Sequence, residues 1–232
     1  MKLRPLGSTG INVSPLGLGT VKIGRNEQVK YPQGFEIPGD EQVSELLALA
    51  RDLGINFIDT APAYGSSEER LGKLLPNAND WVIMTKVGEI FENGKSRFDF
   101  SAEHTRKSVE NSLKKLKRET IDVVLVHSDG NDMEIINNGA ALNTLDKMKQ
   151  QGLIRAYGMS TKTVEGGCWI VENADVVMAT YNLENAEELP VVKRAYELNK
   201  GVVIKKGLQS GHVENVEDAF RYVLTQRGEF AE

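Results

Sequence analysis

Four side chains, Asp59, Tyr64, Lys86 and His127, have the types and the spacing for proton transfer. Asp59 directly follows the apolar run INFI (55–58), Lys86 follows WVIMT (81–85), and His127 follows IDVVLV (121–126). Taken singly, each has an ordinary structural reading: a helix-capping acid, a snorkelling surface lysine, a hydrogen-bonded loop histidine. Their recurrence directly after successive apolar runs groups them at one end of one sheet. Tyr64 stands in the loop after the first of these runs, within DTAPAYGSSEERLG. A phenol with a pKa of about 10 is a poor acid at neutral pH. An ammonium a few ångströms away stabilises its phenolate, and a carboxylate keeps that ammonium charged and oriented. His127 can offer a further hydrogen bond to the phenol or to a substrate oxygen. Such a set protonates a developing alkoxide, which is the proton half of carbonyl reduction. Lys86 alone also fits a Schiff-base isomerase or aldolase, a reading that leaves Tyr64 and His127 without tasks.

The elements that must hold these groups show in an alternation of period. Short β-branched runs recur at PLGLGTV (15–21), INFI, WVIMT, IDVVLV, IRAYGM (154–159), ADVVMA (174–179) and GVVIK (201–205). Between them lie segments with helical spacing. EQVSELLALARDLG (41–54) places Val43, Leu46, Leu47, Ala50 and Leu53 on one stripe, with Gly54 suited to the C-cap. SAEHTRKSVENSLKKLK (101–117) carries Val109, Leu113 and Leu116 on one side, and ALNTLDKMKQQG (141–152) and LPVVKRAYELNKG (189–201) both finish on glycine. Strand, helix, strand is the pattern of right-handed parallel βαβ units, whose ligands collect at the carboxyl ends of the strands. An open doubly wound sheet and an eight-stranded barrel both produce it, and the absence of any linker or charge block favours one closed domain over residues 1–232. Residues 2–16 read as a capping hairpin around Gly7 to Gly10, and 24–40 as a long loop of the kind that forms lids. Ser66 to Glu69 reads as a capping box, with Ser66 as N-cap and Glu69 at N3, that fixes Tyr64.

Composition narrows the function classes. Of 232 residues, 40% are hydrophobic and 26% charged, an ordinary globular balance. The net charge of −5 argues against nucleic acid; the basic cluster Lys114 to Arg118 reads as a helix C-terminus complementing the dipole. A lone cysteine, Cys168, leaves no intrachain disulfide and no thiolate metal cage, and with no apolar run of spanning length a cytoplasmic protein is expected. No metal site is expected, and a monomer is the default.

DTAPAYGSSEERLG, together with Lys86 in MTKVG and His127 in VLVHS, resembles the aldo-keto reductase family, and LRPLGSTGINVSPLGLGT resembles its opening hairpin and first strand. The likeness runs over roughly residues 2–211. It implies a (β/α)8 TIM barrel of the parallel α/β class with an N-terminal β-hairpin, and NADPH (less readily NADH) lying across the barrel mouth without a GxGxxG turn. It makes Tyr64 the general acid toward a small aldehyde or ketone, Asp59 and Lys86 its tuning pair, and His127 the group that positions the carbonyl. The implied cofactor contacts fall at Gly19, Thr20, Asp59, Ser160, Thr161, Met178, Lys205, Lys206, Gly207 and Leu208; Val21, Tyr31 and Phe35 would wall the substrate pocket with Tyr64 and His127. This chain departs from the family pattern at Ser160-Thr161, where Ser-Asn is usual, at Val177-Met178, where Asn-Gln is common, and at Lys205 to Leu208, where Tyr-Ser-Pro-Leu is typical. The family also has a further strand and helix with contacts to the 2′-phosphate, whereas 213–232 reads as one helix, so the last βα unit is expected to be missing. The departures motivate a second reading, a low-activity nucleotide sensor or scaffold on the same fold.

Overall fold

The computed structural model describes residues 1–75 and 78–225. The chain opens with a hairpin, β1 (Arg4–Pro5) and β2 (Asn12–Val13), paired antiparallel. It then builds β3 (Gly17–Gly19), α1 (Asp40–Asp52), β4 (Phe57–Asp59), α2 (Ser67–Leu74) and β5 (Val82–Val87). A second hairpin follows, β6 (Glu89–Glu92) and β7 (Lys95–Phe98), and then α3 (Ala102–Leu116) and β8 (Ile121–His127). The remainder runs α4 (Asp132–Asn138), α5 (Ala140–Gln150), β9 (Ile154–Ser160), α6 (Val164–Asn173), β10 (Val176–Thr180), α7 (Leu189–Glu197), β11 (Gly201–Lys205) and α8 (Val216–Thr225).

Seven strands form one parallel sheet in the order β11-β10-β9-β8-β5-β4-β3. Every strand expected from the β-branched runs is in it, and the parallel curled α/β architecture is that of a TIM-type barrel. Alternate residues divide the core into two layers, as the period of two requires. Ile58, Ile83, Val124, Val126, Met159 and Val177 pack toward the helices. Phe57, Val82, Met84, Val123, Leu125, Ala156, Val176 and Met178 fill the inside of the curl, plugged at one end by Leu6, Ile11 and Val13 of the first hairpin. Strands buried on both faces explain why the runs read as continuous apolar segments rather than alternations.

The helices follow their stripes with one difference. In α1 only Val43, Leu47 and Ala50 are buried, while Leu46 and Leu53 are exposed. The curved sheet takes a narrow stripe from each covering helix, so two of five expected core positions face outward. Gly54, at φ +80°, ends that helix as expected. Ser101 caps α3 by accepting from the His104 backbone amide at 3.2 Å. Residues 24–39 form a long connection without regular structure, as read from the sequence. The helical part of 213–232 is α8; residues 226–232 lie outside the described residues. No helix among the described residues is long and apolar enough to cross a membrane.

Candidate active site

Strand register brings the candidate residues to one rim. Asp59 ends β4, Lys86 is next to last in β5, His127 ends β8, Ser160 ends β9 and Lys205 ends β11. His127 and Ser160 are direct register partners, and Ser160 in turn pairs with Met178. Lys86 is nearly fully buried, at 2% side-chain exposure. Its three N–H groups have three acceptors: Asp59 Oδ1 in a very short contact, the Thr60 carbonyl at 2.9 Å and Tyr64 Oη at 3.2 Å. Burial alone would push this ammonium toward neutrality, but the Asp59 charge overrides it and holds the pKa above the ordinary lysine value. Tyr64 responds in the other direction. Burial raises its phenol above the usual value, and the Lys86 charge opposes the rise without cancelling it. The phenol therefore stands protonated beside a cation, the state a proton donor requires, with the cation placed to stabilise the phenolate once the proton has left.

The expected capping box does not hold Tyr64. Ser66 is the N-cap of α2, but its side chain makes no capping hydrogen bond. Close backbone packing and buried hydroxyls do the work instead. Pro62–Tyr64 form one short 3-10 turn, followed by Gly65 at φ +62°. A Cβ on Gly24 would lie 2.1 Å from the Tyr64 carbonyl, and one on Gly65 would lie 2.1 Å from the Gly24 carbonyl. Only glycines permit this contact. Behind it Ser67 Oγ donates to Thr20 Oγ1 at 2.8 Å, and Thr20 Oγ1 donates to the Asp59 carbonyl at 2.8 Å. Ser67 is thus drawn into the core at the first turn of α2, which ties that turn to β3 and β4.

Sequence reasoning missed one acid. Glu89 Oε2 lies 2.8 Å from His127 Nδ1, off the line of an ideal hydrogen bond. The carboxylate is anchored by Ser96 Oγ at 2.6 Å and by Arg25 Nη1 at 3.4 Å. Arg25 is itself held by the Ala63, Glu27 and Gln28 carbonyls and lies 3.5 Å over the Phe91 ring. Burial tends to raise the Glu89 carboxyl, but His127, Ser96 and Arg25 bring it down to about 2. Burial lowers the His127 pKa, so the ring is neutral at neutral pH. A neutral imidazole facing a carboxylate with Nδ1 carries its proton there and presents Nε2 as an acceptor. The signal for this element was in the sequence: Asn93-Gly94 is the dipeptide of a two-residue hairpin turn, and both residues have positive φ.

The Glu89 shift has a testable sign. Its folded pKa lies below the ordinary 4.5, so it contributes stability that is present above about pH 4.5 and lost as pH falls toward about 2. Thermal unfolding across that range is expected to show a steeper acid limb for the native chain than for Glu89→Gln; identical limbs would remove Glu89 from the balance.

The residues expected on the cofactor side divide into two groups. A cavity of about 1180 Å³, between the β3 and β11 edges, is lined by Gly19, Thr20, Val21, Tyr31, Asp59, Tyr64, Met178, Lys205, Lys206, Gly207 and Leu208. A smaller one of about 260 Å³ joins His127, Tyr64, Glu89, Val21 and Tyr31. Ser160 and Thr161 line neither, and their hydroxyls are engaged internally. Ser160 Oγ accepts from Lys205 Nζ at 3.0 Å, and Thr161 Oγ1 donates to Glu188 Oε1 at 3.1 Å. Thr20 is turned inward by the bonds above. Phe35 also lines neither cavity; it packs edge-on against Tyr31 with ring centroids 5.6 Å apart, and Lys22 Nζ sits 4.2 Å from the Tyr31 centroid. The larger cavity offers cations, a backbone glycine and apolar surface from Met178, Tyr181 and Leu208 in one groove. The cavity also runs along the sheet edge to Leu6, Val13 and Phe57, so its volume exceeds the rim groove; the donor set at the rim suits a dinucleotide's phosphates.

The sequence profile described as "Aldo/keto reductase family" matches residues 15–224. This chain belongs to the aldo/keto reductase family. A solved Pseudomonas aeruginosa structure, provisionally assigned as an aldo-keto reductase, is 53% identical with a TM-score of 0.89, covering 97% of this chain and 85% of that one. The holo form of an aldo-keto reductase from Bacillus halodurans is 27% identical with a TM-score of 0.75, covering 91% and 68%. Among curated relatives, L-galactose dehydrogenase of Arabidopsis thaliana is 36% identical over 69% of this chain and 48% of its own length. The NADH-specific methylglyoxal reductase of Escherichia coli is 32% identical over 68% and 51%. The chain spans about half the length of the curated relatives it matches. Asp59, Tyr64, Lys86 and His127 are the residues that the strand ends assemble, and the hairpin bearing Glu89 lies between β5 and α3.

Proposed function

We propose that this protein is a nicotinamide-dependent reductase of small aldehydes or ketones, with Tyr64 as the proton donor. One observation carries the reading: Lys86 joins Asp59 and Tyr64 at a cavity wall, with its charge secured and one N–H left on the phenol oxygen. The cofactor, when bound, supplies the hydride. Tyr64 gives its proton to the oxygen that becomes the alkoxide, and the phenolate left behind is stabilised by Lys86 at 3.2 Å. Asp59 keeps Lys86 protonated throughout. His127, neutral and with Nδ1 facing Glu89, presents Nε2 as an acceptor, so in this reading it receives the product hydroxyl and does not donate to the carbonyl as expected from the sequence. Lys205, Lys206, Gly207, Leu208, Met178 and Gly19 hold the cofactor, with Val21 and Tyr31 beside the substrate. Lys205 and Lys206 make the groove cationic, which suits the phosphates of either nicotinamide cofactor, and the preference for NADPH over NADH is what the family resemblance implies. A monomeric, cytoplasmic enzyme of one domain completes it, consistent with a lone cysteine.

The test is oxidation of NADPH and NADH, followed by absorbance, with a panel of small aldehydes, ketones and reducing sugars. Turnover of at least one carbonyl with either cofactor is expected. Tight cofactor binding with no turnover across the panel would favour the second reading, a nucleotide sensor. That reading draws support from the Ser160 and Thr161 hydroxyls being already engaged.

A further inference from the structure

The end of β11 carries a cation that the proton-transfer chemistry does not use. Lys205 Nζ donates to Ser160 Oγ at 3.0 Å and to the Thr161 carbonyl in a very short contact. Its head group is thereby tied to the end of β9 instead of extending into solvent. Among the described residues no carboxylate forms an ion pair with it. Glu188, the nearby acid, spends its two oxygens on Thr161 Oγ1 at 3.1 Å and the Thr180 amide at 2.7 Å. Ser160 is the register partner of His127, so the ammonium is fixed on the same rim as the proton-transfer groups, and Lys205 and Tyr64 line one cavity.

Resting on the reductase reading, a second consequence follows from charge. A hydride donor must come within about 3–3.5 Å of the carbonyl carbon seated at Tyr64, which puts its ring in that shared cavity. The reduced nicotinamide ring is neutral and the oxidised ring carries a positive charge. We propose that Lys205 sets the redox preference of the cofactor site: its fixed ammonium disfavours the oxidised, cationic nicotinamide while leaving the neutral reduced form unopposed. Like charges in a part-buried site are weakly screened. The preference for reduced over oxidised cofactor is expected to be about tenfold larger than in a site without that charge. With that charge penalising the oxidised form, release of spent cofactor would be favoured and the reverse oxidation of alcohols suppressed.

The preference carries a pH signature. Burial lowers the Lys205 pKa to about 8, against the opposing pull of Glu188. The other charges facing it are Lys206, Asp132 at the start of α4 and Lys162 after β9. Below that pKa the ammonium is present and the oxidised cofactor is penalised. As pH rises through about 8 the charge is lost and the penalty disappears. Binding of the oxidised form near that pH therefore releases protons from Lys205.

Titrations of NADPH and NADP+ by quenching of protein fluorescence, at about pH 6.5 and about pH 9.5, give both dissociation constants without turnover. In the native chain the ratio Kd(NADP+)/Kd(NADPH) should fall about tenfold between the two conditions. Lys205→Met should show the low ratio at both. Lys205→Arg, charged at every pH, should keep the high ratio at both. An unchanged ratio in Lys205→Met overturns the proposal and leaves the reductase reading standing. A ratio in Lys205→Arg that decays with pH as the native one does also overturns it, because the titrating charge then lies elsewhere. Failure of the native chain to bind either form removes the reductase reading itself.

Discussion

Tyr64→Phe is expected to lower the rate of carbonyl reduction by ~100- to 10,000-fold, the range that a positioned general acid contributes. The affinity for the nicotinamide cofactor should stay within about twofold of native, since only one hydroxyl is lost from a groove with many contacts. The ring itself remains packed, because the backbone that carries it is locked by Gly24 and Gly65. Single-turnover measurement with bound reduced cofactor separates the outcomes. A slow hydride step with normal binding supports Tyr64 as the proton donor. A native rate in the variant removes that role and moves the proton source to water. Because burial raises the phenol pKa, the native enzyme should show no loss of activity from Tyr64 ionisation through pH 9. Any decline on the alkaline side belongs to other groups.

Asp59→Asn is expected to lose both activity and stability. Lys86, at 2% exposure, would keep the Thr60 carbonyl and the Tyr64 oxygen but no counter-charge. Removing one partner of a buried ion pair costs about 3–5 kcal/mol, and for a chain of this size that lowers Tm by about 10 °C. The pH dependence has a definite sign. In the native chain the Lys86 pKa is raised, so its contribution is intact below the unfolded lysine value and is lost only at higher, strongly alkaline pH. Without Asp59, burial drives the same group below its unfolded value, so the unfolded state binds more protons. The variant should then gain stability relative to native as pH rises from about 6 to about 9. Lys86→Met removes the charge together with its burial cost, so it should be the more stable of the two variants and equally inactive. A Lys86→Met protein less stable than Asp59→Asn would show that packing around the lysine stem, not charge pairing, dominates.

The strands, and the placing of Asp59, Tyr64, Lys86 and His127 at one rim, were legible because both signals are local. A strand buried on two faces needs consecutive β-branched residues, and the rim of a parallel sheet is the place where polar groups can follow them. The same logic failed wherever position depended on partners distant in sequence. The inward turn of Ser67, which replaces a capping box, is set by Thr20 and Thr60 across the core. The engagement of Ser160 by Lys205 joins residues 45 positions apart, so a hydroxyl expected to hold cofactor is taken by a neighbouring strand. Phe35 belonged to the right loop but packs against Tyr31 outside the cavities, a choice made by ring packing and not by hydropathy. Helix α6 escaped notice because Gly166 and Gly167 dilute its propensity. Glu89 was missed for another reason: β7 is exposed throughout and has no apolar run to announce it, although Asn93-Gly94 marked the turn.

That second hairpin is an accessory with unusual leverage. Its strands pair only with each other and take no place in the seven-stranded sheet, yet it delivers the Glu89 carboxylate and, through Phe91, a seat for the Arg25 guanidinium. The protonation pattern of His127 is thus governed from outside the barrel, by a module that could be exchanged without recutting a single barrel strand. Substitutions within this ten-residue ribbon (89–98) are thus a route to retuning the rim from one wall of the smaller cavity.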